Sequence, residues 1–308
     1  MITLSEYLIK TFGTKVYRLS LQTGCTCPNR DGTCGIDGCS FCSAGGSGEF
    51  AAPLLPIDEQ IREAKKRVDA KFPKNTAPED RRYIAYFQSY SNTYGDTKEL
   101  AALFRETVSF PEISVLSIAT RPDVLGDDML PELAGINKIK PVWLEFGLQT
   151  ANDLTAERFG RGYRTEIFDD TMRRVAEAGL DRIVHVILGL PGETREDMLN
   201  TARHIAKLKP EGVKIQNLQI LKGTRLAREY AREPFHILTL DEYADIALAF
   251  LRELPDNTVV HRLTGDPPRS MITEPRWCVD KKKTLQRMNE VMNAVSRQTG
   301  GGVSGKRK

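Results

Sequence analysis

Short apolar, β-branched runs alternate with amphipathic stretches through most of this chain, and that alternation leaves few folds open. Strands are expected at 16–21, 83–88, 114–119, 142–147, 182–188 and 213–219. Each is followed by a helical pattern, at 57–72, 97–107, 127–134, 164–178, 194–208 and 225–231. Strands separated by helices pair in parallel, because the crossover returns the chain to the same edge. Six such units fall short of a closed eight-fold barrel, so the expected class is α/β, an incomplete (β/α)6 TIM-like barrel with a C-terminal extension. The near-continuous apolar run at 183–190 fits a sheet covered on both faces.

A second region opens near Leu238, with a helix at 240–254, a strand at 258–262, a turn at 265–268 and a last helix around 281–296. The expected division is a partial barrel over 1–237, including a cysteine loop at 24–48, and an extension over 238–298 that closes it. The Gly-rich, basic end at 299–308 is expected to be disordered. A length of 308 residues suits one large α/β domain or two small ones. No apolar run approaches a membrane span, and MITLSEYLIKTFG lacks the basic-then-apolar layout of a secretory signal. The expectation is a cytoplasmic chain with no membrane partner. A net charge of +3 neither demands nor excludes nucleic acid, though a dedicated duplex binder usually carries a stronger basic bias.

Five of the six cysteines lie in one loop after the first strand: Cys25, Cys27, Cys34, Cys39 and Cys42. Clustered cysteines in a reducing compartment read as metal ligands before they read as disulfides. Gly, Pro, Asn and Asp dominate GCTCPNRDGTCGIDGCSFCSAGG, so it is a loop, at the strand end where parallel α/β folds put their chemistry. Thiolates are the natural ligands of iron–sulfur clusters. A three-cysteine set leaves one iron open to bind a substrate directly. A four-cysteine set, Cys27/Cys34/Cys39/Cys42, suits a structural zinc. Three function classes therefore stand side by side: a catalytic cluster, a zinc-stabilised RNA-binding module, and a four-cysteine electron-transfer protein. Cys278 beside Trp277 reads as packing.

The ordered motifs FGTKVYRLSL, TCPNRDGT, GCSFC, YFQSYSNTY, SIATRPD, EFGLQT, RGY, HVILGLPGET, LKGT, RLTGDPP and PRWCVDKK run nearly end to end. Together they resemble the YhcC-type radical S-adenosylmethionine (SAM) proteins, related to the branch of the elongator catalytic subunit and coproporphyrinogen dehydrogenase. The resemblance implies Cys27, Cys39 and Cys42 as ligands of a [4Fe-4S] cluster. It also implies S-adenosylmethionine as cofactor, reductive cleavage to a 5′-deoxyadenosyl radical, and hydrogen abstraction from substrate. An external donor of flavodoxin or ferredoxin type would supply the electron. The elongator kinship suggests tRNA or another large substrate. Cys34 is an extra thiol beside the site, and RGY stands where RGH is common.

The remaining motifs offer cofactor and substrate contacts. Phe41 lies within the cysteine pair, and Gln88 and Ser91 end the second strand, where polar groups meet the cofactor or simply form a turn. Glu145 and Gln149 flank a strand end that the resemblance places near the cofactor ribose, and their polar groups suit its hydroxyls. Leu188 precedes the GLPGET turn and is assigned to the same cofactor. Arg161 is placed by resemblance on the cofactor carboxylate. Substrate candidates are Arg121 and Asp123, which equally suit a buried pair; His185, more readily a satisfied core histidine; and Lys222, equally a solvated lysine.

Overall fold

The computed structural model describes residues 1–46, 48–266 and 268–299. In chain order the strands and helices are β1 (Ile2–Thr3), α1 (Leu4–Phe12), β2 (Val16–Leu21), α2 (Ile57–Val68), β3 (Arg82–Phe87), α3 (Thr97–Ser109), β4 (Ile113–Thr120), α4 (Met129–Asn137), β5 (Val142–Gln149), α5 (Asp153–Phe159), α6 (Thr165–Glu177), β6 (Asp181–Leu188), α7 (Arg195–Leu208), β7 (Gly212–Asn217), β8 (Ile220–Leu221), α8 (Arg225–Arg232), α9 (Leu240–Glu253), β9 (Val259–Arg262), β10 (Ile272–Glu274) and α10 (Lys281–Thr299). Residues 300–308, most of the expected tail, lie outside the described residues. Among the described residues no helix is long and apolar enough to cross a membrane.

One sheet has the order β1-β9-β7-β6-β5-β4-β3-β2, parallel throughout. The six expected strands stand in sequence order from β2 to β7. Two more lengthen the sheet: β9 pairs with β7, and β1 pairs with β9. A separate antiparallel pair joins β8 to β10. The expected C-terminal strand is thus a member of the main sheet.

The sheet is curled into a partial barrel, and side chains show why. β3 and β7 are four strands apart, about 19 Å in a flat sheet. Yet the Lys214 amine lies 3.1 Å from the Tyr86 hydroxyl across the concave side. Alternation divides the strands between two faces. Leu19, Phe87, Leu116, Leu144, Val184 and Ile215 point outward into the core beneath the helices, with Phe104, Phe168 and Phe250. Ile84, Val115, Trp143 and Ile183 point inward and pack with Leu4 and Leu8 of α1. That helix begins in a Thr3/Glu6 capping box and ends at Gly13 with φ +72°. It covers the amino-end side of the barrel, and among the described residues the thiol cavity lies towards the carboxyl ends of the strands.

Candidate active site

Residues 22–56 carry no regular secondary structure where described, yet the loop is firmly held. The Ser40 N–H donates to the Phe159 carbonyl (2.7 Å), and the Leu226 N–H donates to the Ser40 carbonyl (2.8 Å). The cysteine pair therefore sits between the end of α5 and the start of α8. Buried Asn29 donates Nδ2–H to the Gly160 carbonyl (2.8 Å) and lies 3.3 Å from Cys39 Sγ. Arg30 donates to the Cys42 (3.3 Å) and Ser43 (2.6 Å) carbonyls. Its guanidinium lies over the Tyr90 ring, 5.7 Å from the centroid. Gly46 has φ +59°, and a Cβ there would come within 2.4 Å of that ring, so the turn requires glycine.

Cys27, Cys39, Cys42 and Phe41 line one cavity of about 180 Å³. Gln88, Ser91, Arg121, Glu145, Gln149, Arg161 and His185 reach it from the strand ends and the turns after them. Cys34 is exposed and Cys25 half-buried beside Gly95, and neither lines it. Among the described residues no three His, Cys, Asp or Glu side chains converge on a single-ion site. A tetrahedral zinc needs its thiolates about 2.3 Å from one centre, so the four-cysteine zinc set is not assembled. Burial pushes the Cys39 thiol up to about 12 and the Cys42 thiol in the same direction. Bound metal reverses that preference by stabilising thiolate.

Beneath the thiols lies a polar layer, formed by one inward residue from each of several strands. Glu145 is fully buried. It accepts from Ser117 Oγ (2.6 Å), pairs with His185 Nε2 (2.7 Å) and receives the Lys214 ammonium. Despite its burial, Lys214 and His185 hold the carboxyl well below the usual carboxylate range. Burial and Lys214 push His185 down to about 4, so it is neutral at pH 7. His185 is thus both inward-facing and satisfied. Tyr86, Lys214, Arg18 and Arg262 complete this layer.

Several expected contacts are either engaged by the protein itself or stand away from the cavity. Arg161 is 2% exposed, and all five of its N–H donors are committed. They bond the carbonyls of Tyr163, Leu148 and Thr150, Asp153 Oδ1 and Thr165 Oγ1 at 2.6–3.1 Å. No donor remains for a cofactor carboxylate. This arginine fastens the end of β5 to the following turn. Arg161→Ala is expected to cost about 3 kcal/mol or more in chemical denaturation of the cofactor-free chain; unchanged stability would contradict this role. Arg121 clasps Asp123 through two bonds (2.9 and 2.6 Å), with its third nitrogen 3.9 Å from Cys27 Sγ. Asp123 faces away from the thiol cavity. Leu188 points into the helix-covered core, and its carbonyl accepts from the Leu218 N–H (2.8 Å). Lys222 is exposed beyond β8 and does not line the cavity.

The GLPGET turn carries a displaced titration. Burial raises Glu193 to about 7, against a hydrogen bond from Thr150 Oγ1 (2.5 Å). Its folded pKa lies above the unfolded value of 4.5, so the native state holds more protons between the two, and stability falls as pH rises through that window. Urea titrations from acid to neutral pH should show that slope reduced in Glu193→Gln; equal slopes would contradict it.

Known proteins are similar to this chain in sequence and in fold. Residues 22–205 match the model of the radical SAM superfamily, and residues 210–294 match its C-terminal domain. The chain belongs to the radical SAM superfamily. It is 36% identical to the uncharacterized protein YtqA of Bacillus subtilis strain 168, over 94% of this chain and 88% of that protein. It is 31% identical to protein YhcC of Escherichia coli strain K12, over 93% and 90%. These matches place it in the YhcC-type family. Over 52% of its length it is 25% identical to 29% of the tRNA uridine(34) acetyltransferase of Methanocaldococcus jannaschii. Its fold is similar to that of archaeal Methanocaldococcus infernus Elp3, with a TM-score of 0.64 at 14% identity, over 92% of this chain and 63% of that one.

The cofactors of this radical SAM enzyme are a [4Fe-4S] cluster and S-adenosylmethionine. The residues present fit both. Three thiols face one cavity, and a cluster takes each thiolate on a different iron. Ser91 Oγ and Gln149 Oε1 line the same cavity as buried polar atoms without protein partners. Such atoms are rare unless a ligand or water satisfies them.

Proposed function

We propose that Cys27, Cys39 and Cys42 bind the cluster and leave one iron for S-adenosylmethionine. We also propose that the substrate reacts inside the barrel, between the thiol layer and the polar floor. The single observation that carries this reading is the confinement of these three cysteines, out of six, to one cavity with unpartnered polar groups. When bound, the cluster and cofactor supply a 5′-deoxyadenosyl radical that takes a hydrogen atom from substrate.

The chain's own residues do the rest. Asn29 directs a donor towards Cys39, which favours its thiolate, and Arg121 points a nitrogen towards Cys27. Phe41 and Phe159, 5.2 Å apart, form a wall that keeps water from the reacting centre. Ser91 and Gln149 offer hydrogen bonds to the cofactor's polar groups. Gln149 is held for this by a left-handed backbone (φ +66°) at the end of β5. An external flavodoxin- or ferredoxin-type protein supplies the electron. Anaerobic reconstitution tests the assignment: about four irons per chain and a brown protein are expected, and a colourless protein carrying one zinc would contradict it.

A second reading concerns the acceptor. The partial likeness to a tRNA-modifying enzyme favours tRNA. Incubation of the reduced enzyme with total tRNA should then yield a new nucleoside mass; no mass change in any RNA fraction would contradict that.

A further inference from the structure

The polar floor holds more positive charge than the protein neutralises. Two guanidiniums, Arg18 and Arg262, gather around Tyr86 with the Lys214 amine, whose charged form burial disfavours and Glu145 supports. The Arg18 guanidinium lies over its ring at 5.7 Å and the Lys214 amine at 4.2 Å. Arg262 is the register partner of Lys214 in the neighbouring strand. Their one carboxylate is Glu145, and it is already spent: Oε1 accepts from Ser117, and Oε2 meets His185 and Lys214. The nearby Asp266 pairs with Lys281 instead. Nε and Nη2 of Arg18 and Nε of Arg262 are buried with no partner. Guanidinium donors are seldom left so, because each forfeits its hydration without return. Like charges gathered in one low-dielectric place repel as well. A site of this kind is costly to the empty chain and is relieved by a bound anion.

The position makes it reachable. Arg262 and Gln216 line the thiol cavity and also a second one, which runs out between Phe50 of the cysteine loop and Gly265. A molecule entering there meets Arg262 at the floor, which the two cavities share; Arg18 lies over the Tyr86 ring and lines neither.

We propose that Arg262 is the contact of an anion subsite whose positive field Arg18 reinforces from beside Tyr86, and that the part of the substrate entering the barrel carries a carboxylate or a phosphate. This rests on the proposed reaction within the barrel and names the chemistry of what reacts there. The cationic floor fixes the anionic end, so the carbon chain above it is presented towards the cofactor.

The test uses the full chain and free anions. Melting temperature is followed while inorganic phosphate or acetate replaces chloride at constant ionic strength. The wild type is expected to show a saturable rise, and phosphate against acetate distinguishes the two chemistries. In Arg262→Met the anion affinity should fall about tenfold or more and in Arg18→Met by a smaller but measurable factor, while Arg228→Met, a control on the exposed face of α8, keeps it. Arg18→Met should also melt higher than wild type in chloride, because one uncompensated charge has gone; a merely structural arginine would melt lower. If Arg262→Met does not fold, Arg18→Met carries both readouts. No response in wild type, an unchanged response in Arg18→Met, or a lower melting temperature for that variant would each overturn the proposal. So would a loss of S-adenosylmethionine affinity beyond about twofold in the reconstituted variants, since the anion would then be the cofactor's own carboxylate. Phosphate binding that depends on Arg18, in a protein that releases no 5′-deoxyadenosine, would sink the catalytic reading and leave the subsite standing.

Discussion

Cys39→Ala is expected to leave the reconstituted chain without its cluster and to reduce 5′-deoxyadenosine release to the level of a no-enzyme control. Cys27→Ala and Cys42→Ala should do the same, because a cluster held by three thiolates has no spare ligand. Cys34→Ala should keep both its iron and its activity, as Cys34 is exposed and does not line the cavity. Cys25→Ala should behave likewise, since that thiol packs beside Gly95. Iron analysis and the visible spectrum read the first effect, and chromatography of the nucleoside reads the second. Loss of iron in Cys34→Ala would instead restore the four-cysteine electron-transfer assignment.

The second large effect concerns the floor and needs no cofactor. Glu145 and Lys214 form a fully buried pair. Breaking such a pair by removing one partner costs about 3–5 kcal/mol, because the other charge is left in low dielectric. The two deletions are not equivalent here. Lys214→Met leaves Glu145 with Arg18 and Arg262 nearby, two cations to one anion. Glu145→Gln leaves Arg18 and Arg262 with no anion at all, and takes from Lys214 the carboxylate that supports its charge against burial. Glu145→Gln is therefore expected at the upper end of that range and Lys214→Met at the lower end. The double variant should recover part of the loss. Urea denaturation of the four proteins checks this, and equal losses for the two single variants would contradict it. The pH dependence has a definite sign. The Glu145 carboxyl is held below its unfolded value of 4.5. Its stabilisation is therefore complete above that value and drains away as pH falls through the folded pKa.

Much of the scaffold is legible in the sequence because hydrophobic period and strand length agree. The strand at 16–21 has the same bounds in the structure, and β3 to β6 differ by at most two residues at either end. The short elements escape for physical reasons. β1 has two residues, too few to display a period of two, and it is a strand only because β9 stands beside it. β9 itself reads as a strand, but its seat next to β7 is decided by packing of α9 and α1, which no local pattern records.

The site divides in the same way. The thiols are visible because their spacing is local. The floor is not, since Tyr86, Glu145, His185 and Lys214 come from four strands and meet only when the sheet curls. A signal was nonetheless present: in 213–219 the polar residues Lys214 and Gln216 alternate with apolar ones, which marks a polar inner face. Arg161 shows the opposite failure. The family resemblance implies that it contacts the cofactor carboxylate. Its real partners are the Leu148 and Thr150 carbonyls, which flank the left-handed Gln149. No residue-level rule anticipates that backbone kink.

The most direct test is to replace Cys25, Cys34 and Cys278 together by alanine, reconstitute the protein anaerobically, and measure 5′-deoxyadenosine released from S-adenosylmethionine under dithionite. Three remaining thiols, Cys27, Cys39 and Cys42, are predicted to sustain release at the wild-type level. Release by the wild type but none by this variant, with the variant folded, would contradict the assignment.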